Sequence, residues 1–192
     1  GNVPYDRAAP LRTQVDQSIA KSLENLHTTR IDSLVMHSPL PWEETLEVWA
    51  VFEKAVDDGI VTQLGISNCY DARFFQDLYA AVRIKPAVLQ NRFYQDSGYD
   101  AELRRFCLEK GIMYQSFWTL TANPHVMRSA PAQRAAARLR ATPQQVLFRW
   151  LIQSGHQPLT GTKSPEHMRQ DLNVMALELS PAEMAEIGAI FH

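Results

Sequence analysis

Cysteine is scarce: Cys69 and Cys107 are the only two in 192 residues, and neither belongs to a CxxC or sits in a histidine-rich stretch. Their separation speaks against a disulfide framework or a zinc site and predicts two reduced packing residues of a cytoplasmic protein. No apolar run approaches the roughly 20 residues that span a bilayer. The opening GNVPYDRAAP carries no secretory pattern. Runs of five or more like charges are missing, and 19 Lys+Arg against 21 Asp+Glu leave a net charge of -2. Nucleic acid and anionic membranes are therefore poor partners, and a small-molecule substrate is the expectation. With no linker or low-complexity segment, one domain over 1–192 is the simplest organisation, long enough for a substantial core.

What is present alternates in period. Val15, Ile19, Leu23 and Leu26 form a helical stripe between Thr13 and His27, and the run from Asp32 to His37 reads as a buried strand. Helix then strand follow at Glu43–Asp58, closed by Gly59, and Val61–Ser67. A helix capped by Asp71, a strand over Pro86–Phe93, a helix over Asp100–Lys110 and a strand over Ile112–Trp118 continue the pattern. A short Ala-rich helix near Pro131–Leu139 and a helix opening at Thr142-Pro143 precede a brief strand, Gln157–Thr160, and two helices opening at Ser164-Pro165 and Ser180-Pro181 follow it. In those openings a capping oxygen precedes a proline whose missing N–H costs nothing. Five strands alternating with helices predict an α/β protein with a parallel sheet.

Parallel sheets place their chemistry at the carboxyl ends of the strands. His37, Ser67, Asn68 and Gln90 fall there, and Gln115 and Ser116 lie inside the fourth strand. Each has a structural reading too. His37 could be a hydrogen-bonded strand-end imidazole, Ser67-Asn68 turn chemistry, and Gln115-Ser116 an internally satisfied pair. Trp42, Tyr94, Phe117 and Trp118 follow strand ends and read either as a pocket or as helix–strand packing. His125, His156 and His167 read as solvated, and Arg134, Arg138 and Arg140 as one exposed helix face.

The stretches IDSLVMHSPLP, GIVTQLGISNCY, PAVLQNRFY, CLEKGIMYQSFW, ATPQQVLFRWLI and GTKSPEHMRQDL, in this order, resemble the aldo-keto reductase family. That family is a (β/α)8 barrel of TIM type which reduces carbonyls with NADPH, so the resemblance implies a truncated barrel of about five parallel strands with surrounding helices. It implies that His37 orients and polarises a substrate carbonyl. Ser67, Asn68 and Gln90 would bond the nicotinamide carboxamide, with Gln115 and Ser116 beside it. Lys163, His167 and Arg169 would hold the adenosine 2'-phosphate at a helix start. Trp42, Tyr94 and Trp118 would line the substrate pocket. Two positions depart from the family: Gln115 stands where an aromatic ring usually stacks on the nicotinamide, and Gly161 where a lysine usually meets the phosphate.

In the family three strand–helix units precede the matching region and carry an Asp, a Tyr that donates the proton and a Lys that lowers its pKa. The sequence begins at about the third helix, and Tyr5-Asp6 sits in another context. Hydride transfer needs the nascent alkoxide protonated or stabilised. The expectation is therefore that these 192 residues alone do not reduce carbonyls. The first reading is a non-redox enzyme, of isomerase, dehydratase or cyclase type, with His37 as acid/base on a small oxygenated molecule. The others are a fragment of an NADPH-dependent reductase, with NADP(H) binding if the family site is retained, and a non-catalytic regulatory or scaffold subunit. Five strands cannot close an eight-stranded barrel, so a homodimer through open sheet edges is also expected.

Overall fold

The computed structural model describes residues 3–191. Its five strands are β1 (Ile31–Met36), β2 (Val61–Ser67), β3 (Val88–Arg92), β4 (Met113–Phe117) and β5 (Gln157–Pro158), and they lie in chain order in one sheet. β1 with β2, β2 with β3, and β4 with β5 pair in parallel, as the alternation requires. The helices are α1 (Leu11–Leu26), α2 (Trp42–Asp57), α3 (Ala72–Ala81), α4 (Ala101–Lys110), α5 (Pro124–Arg128), α6 (Ala130–Leu139), α7 (Pro143–Gln153), α8 (Pro165–Asn173) and α9 (Pro181–Gly188). Contacts cluster into two compact units that divide inside β3, one through Gln90 and one from Asn91 on.

In the first unit α1 buries Val15 and Ile19, while α2 buries Val48, Trp49, Val51, Phe52 and Ala55. Trp49 is fixed by its indole N–H, which donates to the Ile84 carbonyl at 2.9 Å. β2 approaches its neighbours closely at Gly65. A Cβ there would stand 2.8 Å from both the Cβ and the carbonyl oxygen of Val88, and 3.2 Å from Val35 Cγ2. Only glycine lets the three strands share this register.

In the second unit small side chains bring helices together: Ala132, Ala135 and Ala136 of α6 are buried, as are Val146, Leu147, Phe148, Trp150 and Leu151 of α7. The polar caps stand where the sequence placed them. Thr142 and Ser180 each complete a reciprocal capping box, and Ser164 and Asp71 accept from their helix N–H groups. Arg134 and Arg138 of α6 do not merely face solvent, since they pair with Glu186 and Glu183 of α9.

The third strand, Val88–Arg92, falls inside the expected Pro86–Phe93, and beyond it three successive residues, Gly98, Tyr99 and Asp100, take positive φ before α4. For Tyr99 and Asp100 that conformation costs about 1–2 kcal/mol each. A buried network holds it. Asp100 Oδ2 accepts from Asn91 Nδ2 at 2.8 Å and from the Tyr114 hydroxyl at 2.9 Å, and Arg104 Nε donates to the Tyr99 carbonyl at 2.8 Å. The expectation of a solvated His156 is corrected here: it is 4% exposed, with its ring edge-on to Tyr114. His156 lies between α7 and β5 and turns inward although both its neighbours, Gly155 and Gln157, are exposed, which sequence polarity alone does not reveal. Its Nε2 stands 3.4 Å from Arg104 Nη1, so the ring proton belongs on Nδ1, where the described residues supply no partner.

Burial first, and then the Arg104 charge, lower the His156 pKa to about 4. The unfolded imidazole titrates near 6.5, so stability is full above that pH and is lost as pH falls toward 4, by about 3 kcal/mol. Asp100, whose carboxyl is pushed up chiefly by burial, acts in the opposite sense by favouring its neutral form. Urea unfolding at pH 7 and pH 4.5 tests this: His156→Phe keeps the ring contact and should shrink the stability difference between the two pH values. An unchanged difference would show that His156 does not titrate with unfolding.

Candidate functional site

The first unit gathers its polar side chains at the carboxyl ends of β1, β2 and β3. The register pairs Met36 with Ile66 and Ser67 with Gln90, so His37 and Asn68 leave the sheet at neighbouring strand ends. Ser67, 3% exposed, donates its hydroxyl to the Gln90 carbonyl at 2.7 Å. Asn68 takes φ 53°, a conformation asparagine tolerates better than most side chains. Its backbone N–H donates to the same Gln90 carbonyl at 3.0 Å. Its side-chain Nδ2 donates to the His37 carbonyl at 2.8 Å and to Ser67 Oγ at 3.2 Å, while the Tyr70 hydroxyl donates to Oδ1 at 3.3 Å. One asparagine thus ties three strand ends together.

The His37 side chain is exposed and lines a cavity of about 330 Å³ with Tyr5, Gln14 and Ser18 against apolar Val15 and Met36. Trp42 is not among the cavity's lining residues. It opens α2 half-buried and meets Phe74 edge-on, ring centroids 5.4 Å apart, which is packing geometry. Gln90 is half-buried on β3.

The second unit carries the other proposed residues. Ser116 is fully buried and accepts from Thr119 Oγ1 at 2.9 Å. Gln115 reaches sideways along the β4–β5 pair, its Nε2 donating to Gln157 Oε1 at 2.9 Å. The two residues that the resemblance sets beside the nicotinamide are therefore bonded to two different neighbours. Tyr94 and Trp118 come together around Arg92, whose Cζ lies 5.2 Å from the Tyr94 ring and 4.0 Å from the Trp118 ring.

Lys163, His167 and Arg169 are all exposed. His167 lines a cavity of about 420 Å³ with Thr160, Gly161, Thr162 and Asp171, but Lys163 and Arg169 are not in its lining. Arg169 is ion-paired to Glu166 at 2.8 Å, and the carboxylate of Asp171 accepts from Thr160 Oγ1 at 2.9 Å. The start of α8 thus presents a basic residue already compensated by its own helix. Sequence reading passed over Tyr70 and Arg92. A charged residue two places beyond Gln90 in an apolar strand was the available signal for Arg92.

The model of the Aldo/keto reductase family matches residues 7–191. An uncharacterised oxidoreductase of Saccharomyces cerevisiae is 31% identical over 157 residues, covering 80% of this chain and 55% of its own length. The NAD/NADP-dependent indole-3-acetaldehyde reductase of Schizosaccharomyces pombe is 27% identical over 187 residues, covering 92% of this chain and 64% of its own. The chain therefore spans less than two thirds of the length of both relatives. Among solved structures, an aldo-keto reductase from a Medee basin deep-sea metagenome superposes with a TM-score of 0.83 at 21% identity, over 92% of this chain and 65% of that one. Another, solved with NADPH, gives 0.80 at 18% identity, over 93% and 59%. These structural likenesses establish the fold.

If Asn68 ties the strand ends, its removal is felt in stability. Asn68→Ala loses the three side-chain bonds to the His37 carbonyl, Ser67 and Tyr70 and keeps a Cβ at positive φ, at a cost of about 2–4 kcal/mol. Asn68→Gly loses the same bonds without the φ penalty and should be milder by about 1 kcal/mol. Denaturant unfolding of the two variants checks the order. Equal stability to the parent would show that the asparagine is not a strut.

Proposed function

Because the chain belongs to the aldo/keto reductase family, we propose that it carries the carboxamide-gripping and carbonyl-polarising part of an NADPH-dependent carbonyl reductase. The observation that carries this reading is the array formed by Ser67, Asn68, the Gln90 carbonyl and the His37 strand end. A carboxamide presents one acceptor and an NH2 donor. Asn68 Oδ1 suits the donor. The Ser67 hydroxyl suits the acceptor, because turning it away leaves the Gln90 carbonyl still bonded to the Asn68 N–H. The donor set therefore fits a nicotinamide. Bound NADPH would supply the hydride. His37, exposed at the mouth of its cavity, would orient and polarise the carbonyl oxygen. The names of the relatives, a reductase using NAD or NADP and structures of aldo-keto reductases, support the redox reading over the non-redox one.

The proton donor is the weaker part. The lining of the His37 cavity includes Tyr5 but no lysine to lower a phenol's pKa. We therefore expect the 192 residues alone to bind cofactor better than they reduce carbonyls, with full reductase activity belonging to a longer polypeptide. The same Tyr5 and His37 lining favours a second reading, non-redox acid/base chemistry in this cavity. Association is assigned to β1. Six residues long, it can accept a further strand or the β1 of a second copy, whereas β5 is two residues ending in Pro158.

Titration with NADPH, followed by its fluorescence, should saturate, and Ser67→Ala should weaken binding about 5–30-fold, the effect of one lost hydrogen bond. No binding at millimolar cofactor, together with turnover of an oxygenated substrate lost in His37→Ala, would transfer the conclusion to the non-redox reading. Glu166→Gln frees Arg169 and should tighten adenosine 2',5'-bisphosphate a few-fold at low salt, the gain fading above about 0.5 M salt. No gain would remove Arg169 from the phosphate site.

A further inference from the structure

Thr160, Gly161 and Thr162, which follow β5, line a cavity of about 420 Å³ together with His167 and Asp171 of α8. Parallel sheets take ligands at the carboxyl ends of their strands, and the volume lies in the range of small-molecule sites. Leu120 and Met127 give the cavity an apolar part, and no lysine or arginine is among its lining residues. Asp171 brings the only fixed charge, since His167 contributes an imidazole rather than a permanent cation. Lys163 lies outside the lining, and Arg169 is held by Glu166 at 2.8 Å. The residues around this cavity therefore do not fit the 2'-phosphate that the family resemblance implies.

An ionised carboxylate only accepts hydrogen bonds, through about four lone-pair sites. Asp171 Oδ2 accepts from Thr160 Oγ1 at 2.9 Å, a bond that ties the carboxylate to the chain leaving β5 and uses one of those sites. A ribose hydroxyl has a proton to give to the others. A phosphate ester brings about -1.5 to -2 of charge and three acceptor oxygens, so it meets the carboxylate as repulsion. We propose that this cavity takes a ribose whose 2'-hydroxyl is free and rejects one that carries a 2'-phosphate, with Asp171 setting the choice. The chain then prefers NADH to NADPH. The dinucleotide rests on the reductase reading, whose carboxamide grip serves both forms, but the ribose choice stands on the second-unit cavity alone.

Isothermal titration of the 192-residue protein at pH 8 with adenosine 5'-monophosphate and adenosine 2',5'-bisphosphate, which differ only at the 2' position, tests the choice. The monophosphate should bind about 10-fold tighter, and the gap should narrow as salt screens the repulsion. Asp171→Asn keeps a hydrogen-bonding side chain without the charge and should cut the gap about threefold, by tightening the bisphosphate. A Cβ at Gly161 would meet nothing within 4 Å, so Gly161→Lys places a cation in open space and should reverse the preference. If Asp171→Asn does not fold by circular dichroism, Gly161→Lys decides. Equal binding of the two nucleotides, tighter binding of the bisphosphate, no binding of either, or a gap that both substitutions leave unmoved would overturn the assignment. Fluorescence titrations with NADH and NADPH keep the two readings apart. A monophosphate preference in a protein that binds neither dinucleotide would refute the reductase reading and leave the ribose site standing. Equal affinities for the two dinucleotides would keep the reductase reading and overturn the ribose choice.

Discussion

The close approach of three strands at Gly65 is the constraint on which the first unit depends. Any side chain there would drive its Cβ into Val88 and Val35, pushing apart strands whose register now sets Ser67 opposite Gln90. That register decides everything at the strand ends. It puts the Ser67 hydroxyl and the Asn68 N–H on one carbonyl and lets the Asn68 amide reach the last carbonyl of the neighbouring strand. A one-residue slip would turn each of these side chains to the opposite face of the sheet.

The second unit uses a different device. Tyr99 and Asp100 hold positive φ because a buried carboxylate is bonded by Asn91 and Tyr114 and a neighbouring arginine ties down the Tyr99 carbonyl. The network leaves a cost in His156, a buried imidazole with one unpartnered nitrogen. Such a group favours the fold while neutral and disfavours it once protonated. The backbone excursion leads into α4, with residues 93–100 between it and β3, and Arg92 and Tyr94 lie at the strand's exit.

The strands and caps were legible because their signals are local. Val61–Ser67 was read to the residue, and Asp71, Thr142, Ser164 and Ser180 cap as their positions beside proline or a helical stripe implied. The resemblance placed His37, Ser67 and Asn68 at strand ends, and they are there. What stayed hidden depends on rotamer choice or on partners distant in sequence. The salt bridge of Arg169 to Glu166 and the reach of Gln115 to Gln157 are choices among rotamers and neighbours that periodicity does not encode. The burial of His156 depends on α4 and β4 closing over it. Arg92 was passed over because a charge at a strand end ordinarily means solvent, and its rings come from Tyr94 and from Trp118, far along the chain.

Family membership gives the fold, and under the proposed function the hydrogen-bonded strand ends are the part that grips a carboxamide. Holding a carboxamide needs donors and acceptors already fixed by backbone geometry. Protonating an alkoxide is a separate demand, for an acid placed within reach of the oxygen. Saturation-transfer NMR on the protein with NADPH asks most directly whether the carboxamide end is the one held. Strong transfer to the nicotinamide ring protons is the expected result. Transfer confined to the adenine protons, or none at all, would contradict the assignment of Ser67, Asn68 and Gln90 to the cofactor.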